Sequence, residues 1–170
     1  MANAPKKVSA RLEVKKTYKL YINGEFVRSE SGRVYEVSTT NAQFFANPAL
    51  ASRKDLRDAV VAARTAQSGW AKATAYNRGQ ILYRIAEMLE NRSDQIAHEI
   101  SQVSGATLKK AHEEVVAAID RWVWYAGWSD KLVAAFGATN PVAGPYYNFT
   151  IPEPQGVIAV APAENFLAFI

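Results

Sequence analysis

The sequence of 170 residues contains no cysteine. This absence excludes disulfides, thiolate metal sites and a cysteine nucleophile from this stretch of chain. Apolar runs are short as well, and none approaches the roughly 20 residues that a membrane-spanning helix needs. The lysines at the start precede no apolar segment, so the N-terminus does not resemble a secretory signal. We therefore expect a cytoplasmic protein with no membrane partner.

Long runs of one charge are also missing, apart from a lysine-rich start. The formal net charge is +4, and residues 1–16 carry several cations against Glu13 alone. We expect these residues to form a basic flexible arm in solvent. Because no stripe of alternating arginine and aromatic residues follows, we expect no nucleic-acid partner. The apolar fraction of 49% with 21% charged residues predicts a folded, globular remainder.

The pattern after the arm predicts a small β-meander. Residues 18–22 and 25–27 are rich in β-formers and flank Asn23-Gly24. This dipeptide favours a type I′ hairpin, in which both central residues need positive φ. A second turn at 29–32 leads into another apolar run at 34–37.

Helical periodicity then predicts a layer of four helices. The first begins at Ser52, and Asp55 follows three residues later, which is the spacing of a capping box. It should end near Trp70. The other predicted helices cover residues 77–91, 93–105 and 107–136. The last of these would bend at Gly127, because glycine weakens a helix.

The C-terminal part predicts extended structure. Residues 146–151 are a strand candidate, and 152–156 form a proline- and glycine-containing turn. The run 157–161 is wholly apolar and β-branched, which is typical of a strand buried on both faces of a parallel sheet. Such a sheet needs further strands, and the sequence stops nine residues after this run. The sequence therefore reads as an α/β protein that ends where a sheet begins.

The order of these segments resembles the N-terminal portion of the aldehyde dehydrogenase superfamily, including its divergent or degenerate branches. The motifs that carry the resemblance are Tyr21-Ile22-Asn23-Gly24-Glu25-Phe26-Val27, Ala59-Val60-Val61-Ala62-Ala63-Arg64 followed by Trp70, Arg78 through Glu90, Tyr125-Ala126-Gly127, and Glu153-Pro154-Gln155-Gly156-Val157-Ile158. The resemblance implies an α/β fold with a β-meander, a helical layer and the first strand of a Rossmann-like sheet. Residues 17–170 would be the N-terminal part of an NAD(P)-binding domain, with an oligomerisation strand near 146–151.

The chemistry implied by the resemblance is oxidation of an aldehyde to an acid with NAD or NADP. In the family a cysteine attacks the aldehyde, hydride passes to the nicotinamide, and water activated by a glutamate releases the acid. The cysteine and glutamate lie downstream of the matching segment, so this chain alone should be inactive. The intact protein should bind an aldehyde substrate and form a homo- or hetero-oligomer.

One catalytic region of the family has a counterpart here, the oxyanion region. Most members carry Pro-Trp-Asn-Phe, whose asparagine stabilises the oxyanion. Counted from Gly156 without a gap, Asn165 is the oxyanion candidate, and Ala163 and Glu164 replace Pro-Trp. Counted from Pro162, Glu164 takes the asparagine position, where an ionised carboxylate would repel the oxyanion.

The same region implies a weak cofactor contact. By resemblance, the backbone of Ala161, Pro162 and Ala163 would touch the nicotinamide. No group of residues in the sequence predicts a metal site.

Three interpretations of the whole remain open. The chain is a segment of an active dehydrogenase, or of a non-catalytic relative that serves as a partner subunit, as the replaced Pro-Trp suggests. Alternatively, it is a small helical binding module, which the basic arm and amphipathic helices suggest. A cysteine in the sequence beyond Ile170 would favour the enzyme over the non-catalytic relative.

Overall fold

The computed structural model describes residues 15–162. The strands are β1 Thr17–Tyr18, β2 Leu20–Ile22, β3 Glu25–Val27, β4 Val37–Ser38, β5 Phe44–Pro48, β6 Ala138–Thr139 and β7 Phe149–Thr150. The helices are α1 Arg53–Lys72, α2 Ala75–Glu90, α3 Ser93–Ser104, α4 Leu108–Trp128 and α5 Leu132–Phe136. Nearly all of the predicted basic arm lies outside the described residues.

The predicted hairpin is formed by β2 and β3. These strands are antiparallel, and Leu20 lies opposite Val27. Asn23 has a φ of 54° and Gly24 a φ of 79°, so both central residues are left-handed and the predicted type I′ turn is confirmed. Tyr21 and Phe26 face each other across the hairpin with ring centroids 5.0 Å apart. Such aromatic cross-strand pairs stabilise a hairpin register.

The predicted meander is wrong in its topology. A strand that the sequence analysis missed, β5, lies between β1 and β4 and pairs in parallel with β1 and antiparallel with β4. The predicted run at 34–37 contributes only β4 and a single bridge from Val34 to Ala49. The sequence did not predict β5 because this strand lacks an alternating apolar pattern and contains Pro48. Its pairing depends on residues that are distant in sequence. Pro48 has no N–H, but its carbonyl accepts from Tyr35 N at 3.1 Å.

Side-chain caps mark the starts of α1, α2 and α4. Ser52 Oγ accepts from Asp55 N at 3.3 Å and Ser52 N donates to Asp55 Oδ2 at 2.7 Å, which confirms the predicted capping box at the start of α1. Thr74 and Thr107 cap α2 and α4 in the same way through their hydroxyl oxygens. Gly105, with a φ of 73°, ends α3 as predicted.

The long helix predicted for residues 107–136 is two helices, α4 and α5. Gly127 lies inside α4, and the chain leaves the helix only after Trp128. Two side chains take up the carbonyls at this end: Ser129 Oγ donates to Tyr125 O at 3.3 Å, and Lys131 Nζ donates to Gly127 O at 2.6 Å. Because these donors satisfy carbonyls at the helix end, the break falls here.

The core lies between α2, α3 and α4 and is built mainly from small side chains. Its buried members are Ala86, Ala97, Ala111, Val115 and Ile119. Alanines at the contact allow the helix axes to approach closely. Gly79 of α2 extends this contact, since a Cβ there would lie 3.1 Å from Ala126 O of α4. Val115 and Ile119 of α4 provide the larger buried side chains of this core.

Two predicted apolar segments are largely exposed in the described part of the chain. On α1, Leu56 is 64% exposed and Val61 is 56% exposed. Residues 157–161, predicted to be the first strand of a parallel sheet, form no ladder in the structure, and Ile158 is 69% exposed. A strand requires a neighbour for its N–H and C=O groups, and the described residues provide none beside this run.

Replacing Asn23 by proline should destabilise the hairpin. Proline fixes φ near −65°, whereas the structure has 54° at this position. We expect a loss of about 1–3 kcal/mol in the free energy of unfolding, measured by urea denaturation. The control is Asn23→Gly, which adopts positive φ freely and should unfold close to the wild-type midpoint. An Asn23→Pro midpoint equal to that of Asn23→Gly would contradict this account.

Candidate functional site

A small antiparallel pair, β6 with β7, leads into the segment that carries the predicted cofactor residues. Asn140 N donates to Asn148 O at 2.9 Å, and the Asn140 amide donates to Asn148 Oδ1 at 3.0 Å and to Thr150 Oγ1 at 2.9 Å. These bonds fix the exit direction of β7. The chain then runs without ladder pairing through residues 151–162. Gly156 has a φ of 105°, which only glycine adopts readily, in the turn predicted for 152–156.

The predicted site residues are only partly within the described chain. Ala161 is exposed and Pro162 is half-buried at the end of this segment. Ala163 and Asn165, together with Glu164, lie outside the described residues. The structure therefore brings together only Ala161 and Pro162, which are sequence neighbours. The oxyanion role of Asn165 and the backbone roles of Ala161 to Ala163 stay predictions.

One carboxyl group among the described residues has a strongly lowered pKa, that of Asp55. Backbone donation from Ser52 N, then the Ser29 hydroxyl, then Glu30 N lowers the pKa of Asp55 to about 2. Asp55 Oδ2 lies 2.7 Å from Ser52 N and 2.7 Å from Ser29 Oγ, and Oδ1 lies 3.1 Å from Glu30 N. The side chain is buried, with 6% of its residue surface exposed.

The arrangement around Asp55 is structural rather than catalytic. Perturbed carboxyl groups often mark active sites, but a general base needs a pKa near the working pH and access to substrate. Asp55 has neither a pKa near neutral pH nor access to substrate, because its oxygens accept hydrogen bonds from donors that stabilise the ionised form. The sequence predicted only the capping box. It held no local signal for the contacts from Ser29 and Glu30, which lie 26 and 25 residues away in sequence.

The two histidines are held in local surface contacts. His98 Nδ1 lies 2.8 Å from Asp94 O one helical turn away. His112 Nε2 lies 3.6 Å from Asp94 Oδ1. Within residues 15–162 no three side chains of the metal-binding types cluster together. No helix in this same range is long and apolar enough to span a bilayer.

An apolar groove on the helical layer lies between α2 and α3. Its lining consists of Ile81, Arg84, Ile85, Met88, Leu89, Arg92 and Ile96. Both arginines have local partners: Arg84 bonds Glu87 at 2.5 Å, and Arg92 bonds Gln95 at 3.1 Å. The groove offers no nucleophile and no general base, so it cannot perform the chemistry of an oxidoreductase by itself.

The chain matches known proteins over nearly all of its length. The model of the aldehyde dehydrogenase family matches residues 26–169. The mitochondrial benzaldehyde dehydrogenase of Antirrhinum majus is 34% identical over 152 residues, which cover 87% of this chain and 28% of that protein. Retinal dehydrogenase 2 of Gallus gallus is 36% identical over 160 residues, covering 91% of this chain and 30% of the relative.

Solved structures give the same result. An aldehyde dehydrogenase mutant from Bacillus cereus superposes with a TM-score of 0.74 at 27% identity, over 81% of this chain and 30% of its own. PnpE, solved in complex with nicotinamide adenine dinucleotide, superposes with a TM-score of 0.73 at 26% identity, over 78% and 27%. The fold is therefore an α/β fragment of the type found in aldehyde dehydrogenases. The chain belongs to the aldehyde dehydrogenase family and corresponds to its N-terminal portion, spanning less than a third of the length of these relatives.

Ionised Asp55 should make the stability of the chain sensitive to acid. The pKa of Asp55 in the folded chain, about 2, lies below the ordinary aspartate value of 3.8, so this contribution is fully present above pH 3.8 and is lost as the pH falls towards 2. Asp55→Asn should be less stable at neutral pH, and its deficit relative to wild type should shrink across that acid window. The measurement is the urea midpoint at several pH values.

Asp58→Asn is the matched control, because Asp58 is exposed on the same helix and its salt bridge within residues 15–162 is with its neighbour Arg57, at 3.2 Å. Its midpoint should follow the wild type at every pH. Wild-type and Asp55→Asn curves that run parallel from neutral pH to pH 2 would contradict the account.

Proposed function

We propose that the protein to which this chain contributes oxidises an aldehyde to the corresponding acid, with NAD or NADP accepting the hydride. The observation that carries the proposal is the family match over residues 26–169, in the element order that the family motifs predict. The relatives named above act, by their names, on benzaldehyde and retinal. For this protein the proposal extends to an aldehyde as a class and not to a particular one.

The segment that ends at Pro162 fits a cofactor contact made through the main chain. Ala161 is exposed, and its side chain is too small to shield the peptide groups beside it. Pro162 has no N–H and can offer only its carbonyl. The bound cofactor would supply hydride acceptance, and these residues would orient it.

The alignment of residues 156–166 with the family motif, which we call the register, determines what this chain adds to the chemistry. With Gly156 as the anchor, the Asn165 amide donates to the oxygen that becomes negative when a nucleophile attacks the aldehyde. With Pro162 as the anchor, Glu164 takes that position, and its ionised form has no proton to donate. We favour the first register, since it needs no gap and keeps Phe166 in the family position. The nucleophile must come from outside these 170 residues, because they contain no cysteine.

The strand β7 and the residues before it support an oligomeric assembly. Tyr146 and Tyr147 are 75% and 77% exposed, and Phe149 is also exposed. Among the described residues β7 pairs only with β6, so one edge of β7 is unpaired. Exposed edges with aromatic side chains favour pairing with another chain. This supports residues 146–151 as an oligomerisation strand within a unit spanning 17–170, and a homo- or hetero-oligomer.

A second candidate function is that of a non-catalytic partner subunit. The observation in its favour is Ala163-Glu164, which stands where most of the family has Pro-Trp. A binding module of helices alone has weaker support, because the family match extends beyond the helical layer on both sides.

The 170-residue chain alone should show no NAD-dependent aldehyde oxidation. It lacks the nucleophile, and the run 157–161 has no sheet around it in the described structure. The assay is NADH absorbance with short aldehydes and purified chain. Heat-sensitive turnover that persists through purification would overturn this prediction. Heat-treated chain serves as the blank.

In the longer, cysteine-containing protein, Asn165→Ala should lower kcat by about 10²–10³, the usual cost of removing one oxyanion donor. Folding should be unaffected, as judged by an unchanged urea midpoint. The matched control is Glu164→Gln, which removes the negative charge of the residue that precedes Asn165. A kcat that does not change with Asn165→Ala would refute the first register.

Glu164→Asn separates the two registers directly. Under the first register it should leave kcat unchanged or lower it. Under the second it should restore or raise activity, because an amide donor then replaces a carboxylate at the oxyanion position. Activity that rises with Glu164→Asn would therefore favour the second register.

A further inference from the structure

A hollow of about 350 Å³ lies between the hairpin and the three-stranded sheet, and we call it the hairpin pocket. Its lining residues are Thr17, Tyr18, Lys19, Arg28, Ser29, Gly32, Arg33, Val34 and Ala49. Three of these side chains are cationic and none is acidic. This volume lies in the range of pockets that bind small molecules.

The cations of the hairpin pocket have no counter-charge in the described structure. Leu20 and Val27 form the residue pair at the open end of the hairpin, and Lys19 and Arg28 directly adjoin this pair. Like charges on opposing strands are destabilising. Neither of these side chains, nor that of Arg33, forms a salt bridge with any residue in 15–162. The arrangement therefore places three cationic side chains, without salt bridges among the described residues, at one pocket, where a bound anion would supply the counter-charge.

The nearest carboxylates do not neutralise this charge. Asp55 lies behind Ser29, is buried, and accepts bonds from three donors of its own. The Glu30 carboxylate accepts from Ser52 Oγ at 3.4 Å on the side of the turn that meets α1. Neither acid lines the hairpin pocket.

The backbone around the cations is fixed in advance. Gly32, with a φ of 65°, closes the turn in which Gly32 N donates to Ser29 O at 2.9 Å. Arg33 follows directly, and its carbonyl accepts from Leu50 N at 2.9 Å. The hairpin register holds the backbone beside Arg28 from the other side. A site whose backbone is already ordered loses less entropy when it binds a ligand.

We propose that the hairpin pocket binds a small organic phosphate, a phosphate monoester on a compact apolar body. Two guanidinium groups match the oxygens of a phosphate through paired N–H donors, and a lysine adds a point charge. Tyr18, Val34 and Ala49 give the pocket an apolar wall for the body of the ligand. The site lies in the β-rich start of the chain and does not depend on the proposed dehydrogenase activity.

The probe is phenyl phosphate, titrated into the 170-residue chain by calorimetry. We expect saturable binding that is tighter than that of inorganic phosphate, which lacks the apolar body, and of benzoate, which lacks the phosphate. Binding should weaken by at least about tenfold in the double variant Arg28→Gln with Arg33→Gln, which corresponds to 1.4 kcal/mol. Lys19→Gln should weaken it by a smaller factor.

The matched control is Arg64→Gln, which makes the charge change of one pocket substitution at an exposed position of α1. Arg64 is 12 residues beyond Ser52, or about 18 Å along the helix. The Arg64→Gln variant should bind phenyl phosphate with the affinity of the wild type. The pocket variants should keep the wild-type urea midpoint, because Lys19, Arg28 and Arg33 are exposed and form no salt bridge within residues 15–162. A loss of binding would therefore not reflect unfolding.

Several results would overturn the proposal. They are equal affinity in wild type and the double variant, no binding of phenyl phosphate at millimolar concentration, and equal weakening by Arg64→Gln. Benzoate or inorganic phosphate binding as tightly as phenyl phosphate would likewise contradict the assignment to an organic phosphate.

Discussion

The buried carboxylate of Asp55 is the interaction on which the arrangement of the N-terminal half depends. It joins the start of α1 to the turn that follows the hairpin, because it accepts from Ser52 N on the helix side and from Ser29 Oγ and Glu30 N on the turn side. A carboxylate that accepts several fixed donors stays ionised, and removing it would leave buried donors without partners. The same turn places Arg33 in the hairpin pocket, so the proposed anion site depends on this bond network.

The helical layer and the C-terminal segment contribute to function in different ways. α2, α3 and α4 form a core of small side chains, which fixes their spacing but offers no reactive group. The residues nearest to the proposed chemistry, Ala161 and Pro162, lie beyond β7 in a stretch without ladder pairing. The contribution that we propose for this chain is therefore mainly main-chain groups and one amide, Asn165, with the nucleophile supplied from elsewhere.

Sequence reasoning was accurate where the signal is local and failed where it is not. Asn23-Gly24, the capping box at Ser52 and the glycine at 105 each encode a backbone conformation within a few residues, and the structure contains all three. The parallel pairing of β1 with β5 joins residues some 30 positions apart, for example Thr17 and Asn47, and no local pattern encodes it. The break after α4 depended on side-chain donors to its last carbonyls rather than on glycine. The family motifs identified the chain, but the candidate oxyanion region needed two possible registers, which short motifs cannot separate.

A double-mutant cycle between Ser29→Ala and Asp55→Asn tests the link between turn and helix most directly. The free energies of unfolding of wild type, both single variants and the double variant would be measured by urea denaturation at neutral pH. Because the two side chains lie 2.7 Å apart, the account predicts that the double variant loses clearly less stability than the sum of the two single losses. Single losses that add within experimental error would show that the turn and the helix are held together by something other than this carboxylate.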